Sequence, residues 1–116
     1  MHKYLFLCTI AILIVSLSSV SAVVLSSVEV DTIAPGQEGR ASIYVKNDGD
    51  NTIKDVSLAL DFTNLPLSPV GSSEESVEEI DDGDKESFLF VIRADASAKV
   101  GDYKVPYTLT YRNATA

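Results

Sequence analysis

The chain has 116 residues, room for one domain, and carries 17 Asp and Glu against 9 Lys and Arg, for a formal net charge of −8. That balance excludes nucleic-acid binding as its work, because phosphate contacts need clustered Lys and Arg. The single His and the single Cys are His2 and Cys8, so nothing beyond the first ten residues offers an imidazole or a thiolate for nucleophilic catalysis or metal ligation.

Met1-His2-Lys3-Tyr4 is a short basic start, followed by an apolar run from Leu5 through Val15 to Leu17 and then by Ser18-Ser19-Val20-Ser21-Ala22. That is the order of a secretory signal peptide, expected as a helix over residues 1–22. Val20 and Ala22 are small enough for the −3 and −1 positions, which places cleavage between Ala22 and Val23, or a residue or two away. A retained anchor is the rival reading, since Leu5 to Leu25 reaches the about 20 residues a span needs; four serines in its second half weaken it. Cys8 lies inside the apolar run, where a lipoprotein signal would not put it. Removal of residues 1–22 leaves a mature domain, 23–116, with 8 Lys and Arg against 17 acids and a net charge of −9. It has no disulfide, so its core alone must hold the fold.

Val23 to Val30 reads as a first strand, ended by the turn residues of Asp31-Thr32-Ile33-Ala34-Pro35-Gly36. Arg40 to Lys46 alternates, with Ala41, Ile43 and Val45 on one face and Arg40, Ser42, Tyr44 and Lys46 on the other, the pattern of a half-buried strand. Asn47-Asp48-Gly49-Asp50-Asn51 is a hairpin loop. Thr52 to Phe62 sets Val56, Leu58, Leu60 and Phe62 on one face; Ile53 breaks that parity and predicts a bulge near Lys54.

Thr63 to Ser76, with Pro66, Pro69 and Gly71, reads as a crossing loop, and Val77 to Ile80 as a short strand after it. Asp81-Asp82-Gly83-Asp84 is the next turn. Ser87 to Arg93 puts Phe88, Phe90 and Ile92 on one face and Leu89 and Val91 on the other, which predicts a strand in the middle of a sheet. Tyr103, Val105, Tyr107, Leu109 and Tyr111 alternate with polar residues and Pro106, and form the strongest strand signal. No segment of the mature part sustains a 3.6-residue apolar period. About six strands separated by turns predict an all-β, antiparallel sandwich.

The order and spacing of the turns, Ala34-Pro35-Gly36-Gln37, Val45-Lys46-Asn47-Asp48-Gly49-Asp50, Lys54-Asp55-Val56, Ile80-Asp81-Asp82-Gly83-Asp84 and Gly101-Asp102-Tyr103, resembles archaeal S-layer-like domains. These are immunoglobulin-like surface modules related in pattern to glycosidase-associated and cell-adhesion-type domains. The resemblance covers nearly all of residues 24 to 112. It implies an immunoglobulin-like sandwich in which Tyr103, at a strand-entering corner, bonds backbone across its turn; the alternative is a simple core aromatic. Asp82-Gly83 stands where the family usually has Pro-Gly. The last strand of such a sandwich is lacking after Asn113-Ala114-Thr115-Ala116. Three explanations compete: a truncated product or fragment of a longer surface protein, a shifted first strand helped by Pro106, or a strand donated by a partner.

The function the resemblance implies is non-enzymatic: an exported cell-surface domain with a structural or adhesion role in an S-layer-like envelope assembly. The alternative is an accessory module of an exported complex that binds carbohydrate or protein. Its expected partners are other envelope or surface-layer proteins or a longer parent chain, with a membrane involved only if the signal is retained. No catalytic residue and no cofactor stand out. The acids sit in turns and on polar strand faces, outside any cleft motif for a glycosidase carboxylate pair. Asp48, Asp50, Asp81, Asp82 and Asp84 are weak carboxylate candidates for Ca²⁺, without EF-hand spacing; solvated hairpin turns are the leading reading of them. The acidic run Glu74-Glu75-Ser76-Val77-Glu78-Glu79 reads as a solubilising surface or a contact for cations or a basic partner. Asn113-Ala114-Thr115 is an N-glycosylation acceptor.

Overall fold

In a computed structural model, which describes the backbone of residues 5–10 and residues 23–114 in full, every regular element is a strand: β1 (Leu5–Ile10), β2 (Val23–Val30), β3 (Thr32–Ile33), β4 (Glu38–Asn47), β5 (Ile53–Leu60), β6 (Leu67–Pro69), β7 (Glu74–Ile80), β8 (Lys85–Ala94), β9 (Asp102–Val105) and β10 (Tyr107–Asn113). Two antiparallel sheets, in the orders β2-β4-β8-β6 and β10-β5-β7, make the expected sandwich. A third, short mixed sheet has the order β3-β1-β9, with β1 antiparallel to β3 and parallel to β9. Among the described residues no helix is long and apolar enough to cross a membrane. The expected signal-peptide helix lies outside the described residues, except that the backbone of Leu5–Ile10 is an extended strand.

The alternation read from the sequence sets the core. From β4, Ala41, Ile43 and Val45 turn inward and are fully buried; Phe88, Phe90 and Ile92 of the neighbouring β8 lie beside them on the same face, and Val56 and Leu58 of β5 close the core from the other sheet. Side chains of two inner faces interdigitate this way in aligned sandwiches, and each Val, Leu, Ile or Phe so buried is worth about 1.5–3 kcal/mol. β8 sits between β4 and β6, which is the central position its two apolar faces predict.

Two bulges adjust the inward parity. β5 carries one more residue than β10 between Ser57 and Lys54, and Asp55 there has a φ of 53°. The extra residue lets both Ile53 and Val56 point inward, at 2% and 0% exposure. A second irregularity between Leu25 and Ser27 sets Leu25 opposite Val45 and Val28 opposite Ile43. It explains a first strand rich in Val and Ser without clean alternation.

Three elements differ from expectation. Leu67–Pro69, inside the predicted crossing loop, pairs with Ala94 to Ile92 at the edge of β8; Leu67 is buried, and Pro69 is tolerated because an edge strand can spare a donor. β7 begins at Glu74 rather than Val77, because β5 supplies backbone partners to Ser76, Glu75 and Glu74, and an edge strand can face its carboxylates to water. The Tyr103 to Arg112 strand is split at Pro106, whose carbonyl accepts the Asp61 N–H (2.9 Å).

The Pro35-Gly36 turn is closed by the Gln37 N–H donating to the Ala34 carbonyl (3.0 Å), with Gly36 at a φ of 80° that favours glycine. Gly36 also donates to the Ala94 carbonyl (2.9 Å), tying this turn to the end of β8.

Candidate functional site

One end of the sandwich gathers the acidic turns singled out in the sequence. Asn47, the last residue of β4, is the one buried polar residue among the described residues, at 1% exposure. Its Nδ2 donates to the carbonyls of Asn51 (2.9 Å) and Ile80 (3.0 Å), and its Oδ1 accepts the Gly49 N–H (3.0 Å). Its own N–H donates to the Asp84 carbonyl (2.9 Å), and its carbonyl accepts the Gly83 N–H (2.7 Å). Asn47 therefore clamps the 48–51 loop and the 81–84 turn together, and with them strands of both sheets. A buried amide in this position must use both donors and its acceptor, because each one left over is costly. The sequence places Asn47 among turn formers; the signal for its burial was the inward parity of Ala41, Ile43 and Val45, which Asn47 continues.

The calcium candidates Asp48, Asp50, Asp81, Asp82 and Asp84 are all in these two adjoining segments. Asp48 pairs with Lys46 (3.3 Å) and Asp81 accepts from the Thr52 hydroxyl (3.0 Å). No three His, Cys, Asp or Glu side chains among the described residues converge as a metal site. The Glu74–Glu79 run lines the solvent edge of β7: Glu79 pairs with Lys54 (3.8 Å) and Glu74 accepts from the Ser57 hydroxyl.

A shallow depression of about 350 Å³ on the β5–β7 sheet is lined by Asp55, Ser57, Ser76, Val77 and Glu78. Arg112 of β10 bonds the Asp55 carboxylate through its Nε, which neutralises one of the two acids there. Asp61 is exposed and lies below the usual carboxylate range because the Thr63 hydroxyl and N–H both donate to it. It is a loop-shaping group.

The aromatics divide by face. Tyr103, Tyr107 and Tyr111 pack against the core, and burial pushes the Tyr107 phenol above its ordinary value. The Tyr103 hydroxyl donates to the Lys99 carbonyl (2.5 Å), the corner bond the resemblance implies. Tyr44 alone among the described tyrosines turns outward, and the Lys85 ammonium lies 5.4 Å from its ring centre. Asn113, the glycosylation candidate, is exposed at the end of β10, opposite Ile53; Thr115 of its acceptor triplet lies outside the described residues. Ala22 of the expected cleavage site does too, while Val23 opens β2.

No curated protein and no solved structure matches the chain. The family model of the NPCBM-associated, NEW3 domain of alpha-galactosidase matches residues 33–112, from β3 through nearly all of β10. This is the glycosidase-associated side of the resemblance seen in the turns, and the span holds both main sheets except β2. The chain belongs to the family of NPCBM-associated NEW3 domains.

Proposed function

We propose that the chain is exported through residues 1–22 and that its mature part is a non-catalytic accessory module, acting structurally or through protein contacts in a longer or larger assembly at the cell surface. Membership of a family described as associated with another domain of alpha-galactosidase supports the accessory role. The observation that carries the structural reading over sugar binding is the distribution of aromatics. A carbohydrate platform needs rings exposed on one face; here Tyr103, Tyr107 and Tyr111 pack on the core, and the outward Tyr44 has Lys85 over its ring. The setting in an S-layer-like envelope extends the same proposal, on the strength of the turn pattern.

The test is fractionation of cells expressing the tagged full chain, with the purified secreted chain assayed for retention on insoluble polysaccharides and for hydrolysis of aryl glycosides. The expected result is co-fractionation with envelope proteins and neither retention nor hydrolysis. Saturable polysaccharide binding that Tyr44→Ala abolishes would replace this reading with the carbohydrate-binding one.

A further inference from the structure

We propose that the outer face of the four-stranded sheet docks on the outer face of the β10-β5-β7 sheet of a second copy of this chain, joining copies head to tail. Both faces lie within β2 to β10, so the contact does not depend on the export reading. Inward burial of Ala41, Ile43 and Val45 on β4, and of Phe88, Phe90 and Ile92 on β8, turns the residues between them outward. These pair in rows: Arg40 opposite Val91, Ser42 opposite Leu89, Tyr44 opposite Ser87, and Lys46 opposite Lys85. Val91, Leu89 and Tyr44 form the centre, with Arg40 at one end and the two lysines at the other. Leu89 is 47% exposed, and Val70, 39% exposed, adjoins the centre through the bond of its N–H to the Val91 carbonyl. With Arg93 the face carries four of the chain's 9 Lys and Arg, although the chain is acidic overall. Lys46 pairs with Asp48 and Arg93 with Glu38, while Arg40 and Lys85 have no carboxylate partner among the described residues. Lys46 and Lys85 stand directly opposite each other, an arrangement that costs a sheet stability and that an anionic partner relieves.

The complement is on the chain's other side. Across β5 and β7 the outward rows set Glu74 opposite Ala59, Ser76 opposite Ser57, and Glu79 opposite Lys54. Among them lies the shallow depression lined by Asp55, Ser57, Ser76, Val77 and Glu78. Arg112 holds Asp55 and Lys54 holds Glu79; Glu74 and Glu78 have no cation partner among the described residues. The lengths agree as well. At the rise of a strand, Arg40 to Lys46 covers about 20 Å and Glu74 to Glu79 about 17 Å. A face with cations at both ends and an apolar centre therefore meets one with acids at both ends and a depression between them. This match singles out a second copy among acidic partners. The outer faces of one sandwich point away from each other, so a single chain cannot close the contact and two copies can. Because the two surfaces differ, the contact is heterologous and repeats instead of stopping at a dimer. Leu89 and Val91 supply affinity and the charges supply orientation, exposed ion pairs being weak. With a Debye length of about 10 Å at about 0.1 M salt, the net repulsion between copies is screened while charges in contact still attract.

The experiment is sedimentation velocity on the purified full chain at about 10 μM to about 1 mM, the range of a contact smaller than a standard interface, in about 0.1 M and about 1 M NaCl. One variant carries Arg40→Glu with Lys85→Glu, a second Glu74→Lys with Glu78→Lys, and a third Leu89→Ser; circular dichroism establishes that each is folded. In the lower salt the parent's mean sedimentation coefficient is expected to rise with concentration without levelling at a dimer, and in the higher salt association is expected to weaken by about tenfold or more. Each variant alone is expected to associate more weakly than the parent by about tenfold or more. An equimolar mixture of the two charge variants is expected to regain association, since the reversed face of each then meets the unreversed face of the other, and that recovery also shows both to be folded. A parent that stays monomeric throughout would overturn the proposal. Association that salt and all three variants leave unchanged would do the same, as would a dimer that does not grow or a mixture that stays monomeric. Retention of a monomeric parent on immobilised polyglutamate, lost with Arg40→Glu and Lys85→Glu, would assign the face to a different acidic partner and so overturn the second copy.

Discussion

Replacing Asn47 by Ala leaves its backbone bonds to Gly83 and Asp84 in place and deletes three side-chain bonds. The bond to the Ile80 carbonyl is buried, so that acceptor loses its partner where water does not reach, at a cost of about 1–3 kcal/mol. The bonds with Gly49 and Asn51 are part-buried, and water can replace much of them, so each adds about 0.5–1 kcal/mol. The sum is about 3 kcal/mol, which in a domain of this size lowers the melting temperature by roughly 12–24 °C. Asn47→Asp keeps the shape but turns two donors into acceptors aimed at the Asn51 and Ile80 carbonyls, and buries a charge, so it is expected to be worse than Ala at neutral pH. The new carboxyl's pKa is raised in the fold, so the deficit shrinks as pH falls toward the ordinary Asp range and grows as pH rises. Thermal melts by circular dichroism at neutral and acidic pH read both effects. A loss below about 1 kcal/mol for Asn47→Ala, or Asn47→Asp as stable as Ala at neutral pH, would refute the clamp.

Other outcomes follow from single contacts. A Cβ on Gly39 would lie 2.6 Å from Ile33 Cγ1 and 3.2 Å from Asp31 Cβ, so Gly39→Ala is expected to cost about 1–3 kcal/mol by overpacking, read as a lower urea midpoint. Tyr103→Phe removes the bond to the Lys99 carbonyl at a cost of about 0.5–1.5 kcal/mol, and proteolysis should show the loosening local to the turn before β9. Tyr107 has a raised pKa through burial; its stabilising share is complete below the ordinary phenol value of 10.0 and is lost as pH rises through the raised one. Alkaline melts of Tyr107→Phe should therefore fall less steeply than those of the parent. Because Asp48 is held by Lys46 and Asp81 by Thr52, millimolar Ca²⁺ is expected to leave the melting temperature unchanged beyond the effect of equal ionic strength. A specific rise would reinstate the two turns as a calcium site.

Much of the fold was legible because a half-buried strand writes its faces at a period of two. Ala41, Ile43 and Val45, and Phe88, Phe90 and Ile92, could be assigned inward from spacing alone, and Ile53 announced the bulge at Asp55 by breaking parity. Leu67–Pro69 was not legible, since a three-residue strand with a proline has no period to show and exists only because β8 offers an edge. The N-terminal half of β7 was hidden for a related reason: a run of glutamates reads as solvated loop until a neighbouring strand supplies its backbone partners. The acidic turns were found as turns, but that they adjoin through Asn47 depends on contacts between residues far apart in the chain.

The sequence by itself determined an all-β chain, its inward rows, its turn chemistry, its acidic charge, and the confinement of Cys and His to residues 1–22. These follow from local periodicity and residue type, which need no partner. Only the tertiary structure decided which acids meet, that Tyr103 bonds Lys99 while Tyr44 faces out under Lys85, and that an apolar strand fits between β3 and β9. Each of these depends on segments brought together across the sandwich, and local preference carries no information about what will lie on the far side of a sheet edge.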